Sequence, residues 1–309
     1  MTSIIQSPLF TQRVVQAMRS LYPEELADRA WDNVGLLQEN IDYSQSPSSA
    51  ARDVSPIVLL TNDLTVRVAE EAIRKRASVI VSYHPFIFRG LKSISLGDPQ
   101  QRIMLQLAQH NIAVYCPHTA VDAAPGGMND WLADMLDGHG VTTKRSVVQP
   151  TAVPVPPGFG GAGFGRLVEF GHVVNLGRIV EAYAEGLGGL RYVMVARPKQ
   201  SMPHLIRSVA ICAGSGYDVL KDCTTADLIV TGEMTHHNAL RLTMLGRCVL
   251  TVFHSNSERR FLKKRLQPQL HGILASEDAE TEVLVSEEDE DPFEIWDVKN
   301  MPLLAYDKK

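Results

Sequence analysis

Apolar positions along this chain follow two rhythms. Phe10, Val14, Met18 and Leu21 recur at spacings of four, four and three, the period of an amphipathic helix, and Pro23 closes it. Elsewhere the apolar residues come in short unbroken runs. Ile57-Val58-Leu59-Leu60-Thr61, Val79-Ile80-Val81-Ser82 and Ile112-Ala113-Val114-Tyr115-Cys116 read as strands buried on both faces. Between the first two, Asn62-Asp63-Leu64-Thr65 offers cap residues to a helix over 65–77, and a further helix is expected over 99–110. Strand, helix and strand joined by short connections predict parallel βαβ units.

The same alternation resumes downstream. Strands are expected near 166–170, 191–196, 207–213, 227–231 and 247–253, with helices near 175–186, 217–222, 234–245 and 256–266. Between the two halves, residues 150–165 hold four prolines and five glycines and read as an irregular connection. The pattern therefore predicts an α/β protein of two lobes. The first spans 10–150, the connection 151–165, and the second, with a C-terminal return, 166–300, all within one domain over 10–300. Asp32 and Asn33 lead into a turn that Gly35 relieves, and 43–55 reads as a surface loop. Gly126-Gly127 opens a helix near 128–136, either as a plain helix start or as a place where free backbone N–H groups meet an anion. The acidic stretch 276–291 surrounds Val283-Leu284-Val285 and is followed by Phe293, Ile295 and Trp296. That apolar centre predicts an ordered edge strand beside a solvated acidic turn.

Composition narrows the class. With 309 residues, 45% hydrophobic and 21% charged, the chain has an ordinary globular balance. A net charge of -5 exerts no general pull on nucleic acid or anionic membrane. No apolar run approaches the ~20 residues that cross a bilayer. Cys116, Cys212, Cys223 and Cys248 form no CxxC pair and fit buried thiols of a reducing compartment. A cytoplasmic protein is expected, with nucleus or mitochondrion as alternatives. The acid-free first 23 residues, with Arg13 and Arg19, are read as the polar face of the first helix rather than as a presequence. Arg259-Arg260 and Lys263-Lys264-Arg265 are expected to form a solvated helix face.

Four strand ends carry chemistry. Val79 to Ser82 runs into Tyr83-His84-Pro85, and the strand ending at Cys116 runs into Pro117-His118-Thr119-Ala120-Val121-Asp122. Glu233, His236 and His237 follow the strand near 227–231, and His254 with Glu258 follows the strand near 247–253. The carboxyl ends of strands are where open α/β sheets place their ligands. Two groups share the spacing His-x-x-x-carboxylate, which on a helix or helix entry points both side chains to one side. Imidazole with carboxylate suits Zn, Mn or Fe, whereas Ca and Mg favour oxygen alone. Any one pair also occurs on ordinary surface helices. Four groups at four strand ends predict a metal site, and the two oxygens of Glu258 suit a shared ligand.

These motifs resemble the Nif-three-like family (NGG-one-interacting factor three), whose members carry the name GTP cyclohydrolase 1 type 2 homologue. Ser-Tyr-His-Pro-Phe-Ile-Phe, Pro-His-Thr-Ala-Val-Asp with the later Gly-Gly, Thr-Gly-Glu-Met-Thr-His-His and Phe-His-Ser-Asn-Ser-Glu bear the resemblance, as does Trp31-Asp32-Asn33-Val34-Gly35-Leu36. It implies two α/β lobes of mixed sheets flanked by helices, a dinuclear metal site in the cleft between them, and a toroidal homohexamer. By motif it makes His84, Asp122, His254 and Glu258 metal ligands, and it lines the cleft with His118, Glu233, His236 and His237. Tyr83 stands where many bacterial members have a second histidine, as in the eukaryotic branch. A phenol, with a reference pKa near ~10, is a poor ligand at neutral pH. One or two divalent transition ions per chain (Zn, Fe or Mn) are therefore expected, the second weakly held or absent.

Three functions follow. The first is a metal-dependent hydrolase of a nucleotide-like molecule, GTP cyclohydrolase-like by family name, in which His118 or Glu233 moves protons. No Walker loop or dinucleotide fingerprint accompanies it, and Gly214-Ser215-Gly216 reads either as a phosphate contact or as a plain tight turn. The second is a metal-stabilised oligomeric adaptor or transcription-related regulator with protein partners and no turnover. The third is a metal carrier with easily exchanged metal.

Overall fold

Strands buried on both faces need cover on both sides, and here two sheets share one layer of helices. The computed structural model describes residues 6–43, 55–138, 142–151, 154–199, 205–223 and 225–297. Most of the loop expected over 43–55 lies outside them. Helix α1 (Leu9–Leu21) and a 3-10 turn, Glu24–Leu26, precede strand β1 (Gly35–Gln38). Then come β2 (Ile57–Thr61), α2 (Val66–Arg74), β3 (Val79–Ser82), α3 (Pro99–Gln109), β4 (Ala113–Cys116), α4 (His118–Ala123) and α5 (Met128–Asp134). The second half holds β5 (Thr142–Pro150), β6 (Gly163–Asn175), α6 (Leu176–Gly186), β7 (Met194–Ala196), β8 (Leu205–Cys212), α7 (Tyr217–Leu220), β9 (Leu228–Thr231), α8 (His236–Met244) and β10 (Cys248–Thr251). A 3-10 turn (Ser255–Ser257), α9 (Arg259–Phe261), a π segment (Leu262–Leu266), α10 (Gln267–Ala275) and β11 (Glu282–Val285) complete it.

The first sheet runs β1-β4-β3-β2-β11, parallel except for β1. The second runs β5-β6-β8-β9-β10-β7, with a parallel centre of β8, β9 and β10 between antiparallel flanks. Alternation along each strand divides the core. Val58, Val79 and Val81 of the first sheet and Val209, Ile211, Val230 and Leu250 of the second face a common interior with Met18, Trp131 and Leu270. On the outer faces, Leu59, Ile80 and Val114 pack on α2 and α3, and Ala210, Ile229 and Val249 pack on α7 and α8.

The expected strands and helices of the βαβ runs are present, and the edge strand expected around Val283-Leu284-Val285 is β11, parallel to β2. Three elements lay outside the expectation. Strand β5 (TTKRSVVQP) is largely polar, so its apolar signal is faint, yet it pairs with β6 throughout. The 151–165 stretch therefore joins neighbouring strands of one sheet instead of two lobes. Strand β1 hides beside the turn at Gly35, whose φ of 113° suits glycine. Helix α10 continues beyond 266 through the π segment. The acidic turn is also more than a solvated surface. Buried Glu71 accepts from Ser286 Oγ at 2.5 Å and from the Glu287 amide at 3.2 Å, and it pairs with Lys75 at 2.9 Å.

Helix α5 ties the sheets together. Arg166 of β6, buried, meets Asp130 through Nε at 2.7 Å and Nη2 at 2.9 Å, and its Nη1 donates to the carbonyls of Gly163 and Gly165. Asn129 accepts from the Ala213 amide at 3.0 Å and donates to the Asp122 carbonyl at 3.0 Å. Breaking a buried ion pair by removing one partner typically costs ~3–5 kcal/mol. Asp130→Ala is expected to lose stability on that order by urea denaturation; a loss within about 1 kcal/mol, the scale of an exposed pair, would show that this clamp does not hold the sheets.

Candidate metal centre

The carboxyl ends of β3, β4, β8 and β10 converge on one cavity of about 660 Å³. Backbone pairing persists past the strand ends and fixes what projects into it. The Tyr83 amide donates to Thr61 and the His84 amide to Asn62, at 2.9 and 3.0 Å. His254 follows Phe253, held at a positive φ of 70°, a strained setting for a bulky residue that is concentrated at functional sites. The 3-10 turn behind His254 is pinned by Ser257, whose hydroxyl donates to the His254 carbonyl and accepts from the Gly214 amide. Gly232 permits that approach, because a Cβ there would stand 2.8 Å from Ser257 Oγ and 2.9 Å from His254 Cα.

Glu258 is the centre. Its carboxylate is buried, with Oε2 3.4 Å from His84 Nε2 and 3.1 Å from the donating Asn62 Nδ2, and Oε1 3.2 Å from His254 Nε2. Donor atoms of His84, His254 and Glu258 lie within 4.8 Å of one another. Each imidazole is gripped from behind. His84 Nδ1 meets Asp63 at 2.9 Å, His254 Nδ1 meets Glu233 at 3.0 Å, and His118 Nδ1 meets Asp32 at 2.7 Å. A carboxylate on one ring nitrogen orients the other toward a metal and raises its basicity.

The charges follow from these contacts. Burial opposes ionisation of His84, but Asp63 and Glu258 outweigh it and hold its pKa up at about 10. Burial likewise opposes His254, which Glu258 and Glu233 raise to about 9. Burial would raise Glu258, yet the two imidazoles hold it well below the usual carboxylate range. Burial lifts Asp122 to about 6. Burial, with the charges of Asp122 and Glu258, keeps the Tyr83 phenol protonated, and it donates to Asp122 Oδ1 at 2.7 Å.

The residues expected at the site divide into groups. His84, His254 and Glu258 come together; His118, Tyr83 and Asp122 line the same cavity. Asp122 stands outside the close trio, with one oxygen taken by Tyr83. Glu233 reaches the site only through the far side of His254, and its side chain is half exposed. His236 and His237 begin α8, capped by Thr235, as exposed residues outside the cavity lining. Gly214-Ser215-Gly216 is a tight turn whose glycine amides are committed to Ser257 and Thr231. Gly126-Gly127 is a plain helix start, its amides bonded to Asp130 and Ala124.

Residue-by-residue reading passed over the supports. Asn62 and Asp63 looked like helix caps, although Thr65 caps α2. Asp32 looked like a turn residue. Asp289, from the acidic stretch, accepts from the Asn62 amide at 2.9 Å, and Asp291 accepts from Ser255 Oγ at 2.6 Å. Their shared signal was a carboxylate beside a strand end, but partners so distant in sequence gave nothing local to pair.

Two mixed α/β sheets with a histidine-carboxylate cluster at facing strand ends define a protein with a candidate metal site between its sheets. The chain belongs to the Duf34/NIF3 (NGG1p interacting factor 3) family, whose model matches residues 10–292. The Schizosaccharomyces pombe protein NIF3 homolog is 43% identical over 285 residues, covering 91% of this chain and 96% of the relative. NGG1-interacting factor 3 of Saccharomyces cerevisiae is 40% identical over 291 residues, 92% of this chain and 96% of that protein. Among solved structures, a Bacillus cereus protein related to NIF3 superposes with a TM-score of 0.74 at 22% identity, over 92% of this chain and 98% of its own. Reduced HcgD from Methanocaldococcus jannaschii gives 0.69 at 17%, over 92% and 99%. At such identities these structures support the fold alone.

The donor set fits a borderline transition ion. With their pKa values raised to about 10 and about 9, His84 and His254 are cationic at pH 7 in the ion-free protein, so an ion at Nε2 displaces one proton from each ring. Zn²⁺ uptake at pH 7 is expected to release about two protons per ion and to weaken as pH falls. Titration calorimetry in buffers of different ionisation enthalpy counts those protons. Release of none would place the ion away from the two imidazoles.

Proposed function

We propose that this protein is a metal-dependent hydrolase of a small, nucleotide-like molecule, with one divalent transition ion (Zn, Fe or Mn) held by His84, His254 and Glu258. The observation that carries the reading is the back-to-back arrangement of imidazole and carboxylate, which leaves two Nε2 atoms and a desolvated carboxylate converging in a cavity. When bound, such an ion supplies Lewis acidity, polarising an acceptor bond and acidifying water. Asp63 and Glu233 keep the two imidazoles in register. His118, with Nδ1 tied to Asp32, keeps Nε2 as the group that holds or moves a proton over the cavity. Trp31 and Phe88, with ring centroids 6.0 Å apart, give the cavity mouth an aromatic wall for a planar ring. The Tyr83–Asp122 bond favours one ion over two, since a second ion at Asp122 would compete with the phenol.

Metal content of protein prepared without chelator is expected to approach one ion per chain and to vanish in Glu258→Ala. Turnover against a panel of nucleotides is expected to fall with it, whereas His118→Asn keeps the ion and loses roughly 100-fold or more in rate. Fully folded wild type without metal would contradict the reading.

A second reading, an adaptor without turnover, draws on the name of the Saccharomyces cerevisiae relative and on the exposed Phe293, Ile295 and Trp296. We also propose homo-oligomerisation, with the hexamer as its expected form, supported by the exposed Met194, Val195, Leu240, Met244 and Leu245 beside the edge of the second sheet. Ligand variants that keep oligomer mass and lose turnover favour the hydrolase. Variants that lose assembly alone favour the adaptor.

A further inference from the structure

A second cavity, of about 690 Å³, lies behind the candidate metal centre, between α9 with its π extension and the turn after β11. Its lining carries five cationic side chains, Lys75, Arg259, Arg260, Lys263 and Lys264, against one carboxylate, Glu287. Two of the five are already matched. Lys75 sits 2.9 Å from Glu71 and 3.6 Å from Glu287, and Arg259 sits 3.3 Å from Asp289. Arg260, Lys263 and Lys264 form no ion pair with a carboxylate among the described residues. The Nε of Arg260 is shielded from solvent without any acceptor, a costly state for a charged donor. Its guanidinium passes directly over Gly188, where a Cβ would come within 2.3 Å of Nη1. Glycine at 188 therefore leaves that donor group its place in the cavity wall.

We propose that this cavity is a binding site for a compact polyphosphate, a di- or triphosphate group either free or as the tail of a nucleotide. Three uncompensated cations match the charge of such a group, and guanidinium with two ammonium groups is the donor chemistry that phosphate oxygens accept. The volume falls within the range of small-ligand pockets. A long nucleic acid fits poorly, because the acidic turn of Glu287, Glu288, Asp289, Glu290 and Asp291 borders the site and repels an extended polyanion. The lining does not include His84, His254 or Glu258, so binding here is measured on protein free of metal.

Calorimetry on metal-free full-length protein at about 25 mM salt, where screening is weak, tests the site with pyrophosphate, tripolyphosphate and a nucleoside triphosphate. Wild type is expected to bind tripolyphosphate, with Lys263→Gln/Lys264→Gln weakening it at least roughly tenfold. Both lysines are exposed, and circular dichroism checks that the double variant is folded. Lys144→Gln, exposed and lining neither cavity, is expected to change nothing. Equal affinity for tripolyphosphate and nucleotide marks the phosphate chain as ligand, and tighter nucleotide binding that weakens in Lys263→Gln/Lys264→Gln marks the tail of a nucleotide; both support the proposal. Nucleotide binding that the double variant leaves unchanged belongs to the other cavity and counts against it. Wild type that binds no polyphosphate, a double variant that binds undiminished, or a single-stranded oligonucleotide that outcompetes tripolyphosphate would overturn it.

Discussion

One buried carboxylate sets the terms for the whole molecule. Glu258 is 2% exposed, and an ionised carboxylate that far from water is tolerated only when paired and hydrogen-bonded. Its partners come from both sheets: His84 and Asn62 from the ends of β3 and β2, and His254 from the end of β10. Satisfying one anion thus requires that the two parallel-strand edges meet face to face. The shared helical layer, with the Arg166–Asp130 clamp and Asn129 spanning it, is what brings them there.

Around that anion the charges are arranged in shells of alternating sign. Two imidazoles press on Glu258, and outside them stand Asp63 and Glu233. His118 with Asp32 repeats the unit without touching Glu258. The acidic stretch near the C-terminus completes the frame, because Asp289 holds the Asn62 backbone while Asn62 donates to Glu258. Arg259 approaches Asp289 from the other side, so the candidate metal centre and the basic cavity behind it share a wall.

Much of this was legible in the residues before the fold was known. Strands such as Val79–Ser82 are uniform apolar runs, and a histidine just past such a run has few places to stand other than a sheet edge. The spacing of His254 and Glu258 carried real information, since both reach the cluster. Other features resisted local reading for physical reasons. Strand β5 owes its order to pairing with β6, which a polar sequence does not advertise. Asp32, Asp63 and Asp289 act on residues far away in the chain, so each looked like a turn, cap or surface residue. His236 and His237 resembled site residues by proximity to a strand end, but both stand exposed at the start of α8, outside the cavity.

The central claim is that an ion belongs at the Nε2 edge of two carboxylate-gripped imidazoles, with Glu258 between them. Crystals loaded with Zn²⁺ and measured at the zinc absorption edge test it directly. The account predicts one strong anomalous peak bonded to His84 Nε2, His254 Nε2 and a Glu258 oxygen, with the Tyr83–Asp122 hydrogen bond intact. A peak elsewhere, or none within bonding distance of Glu258, would contradict it.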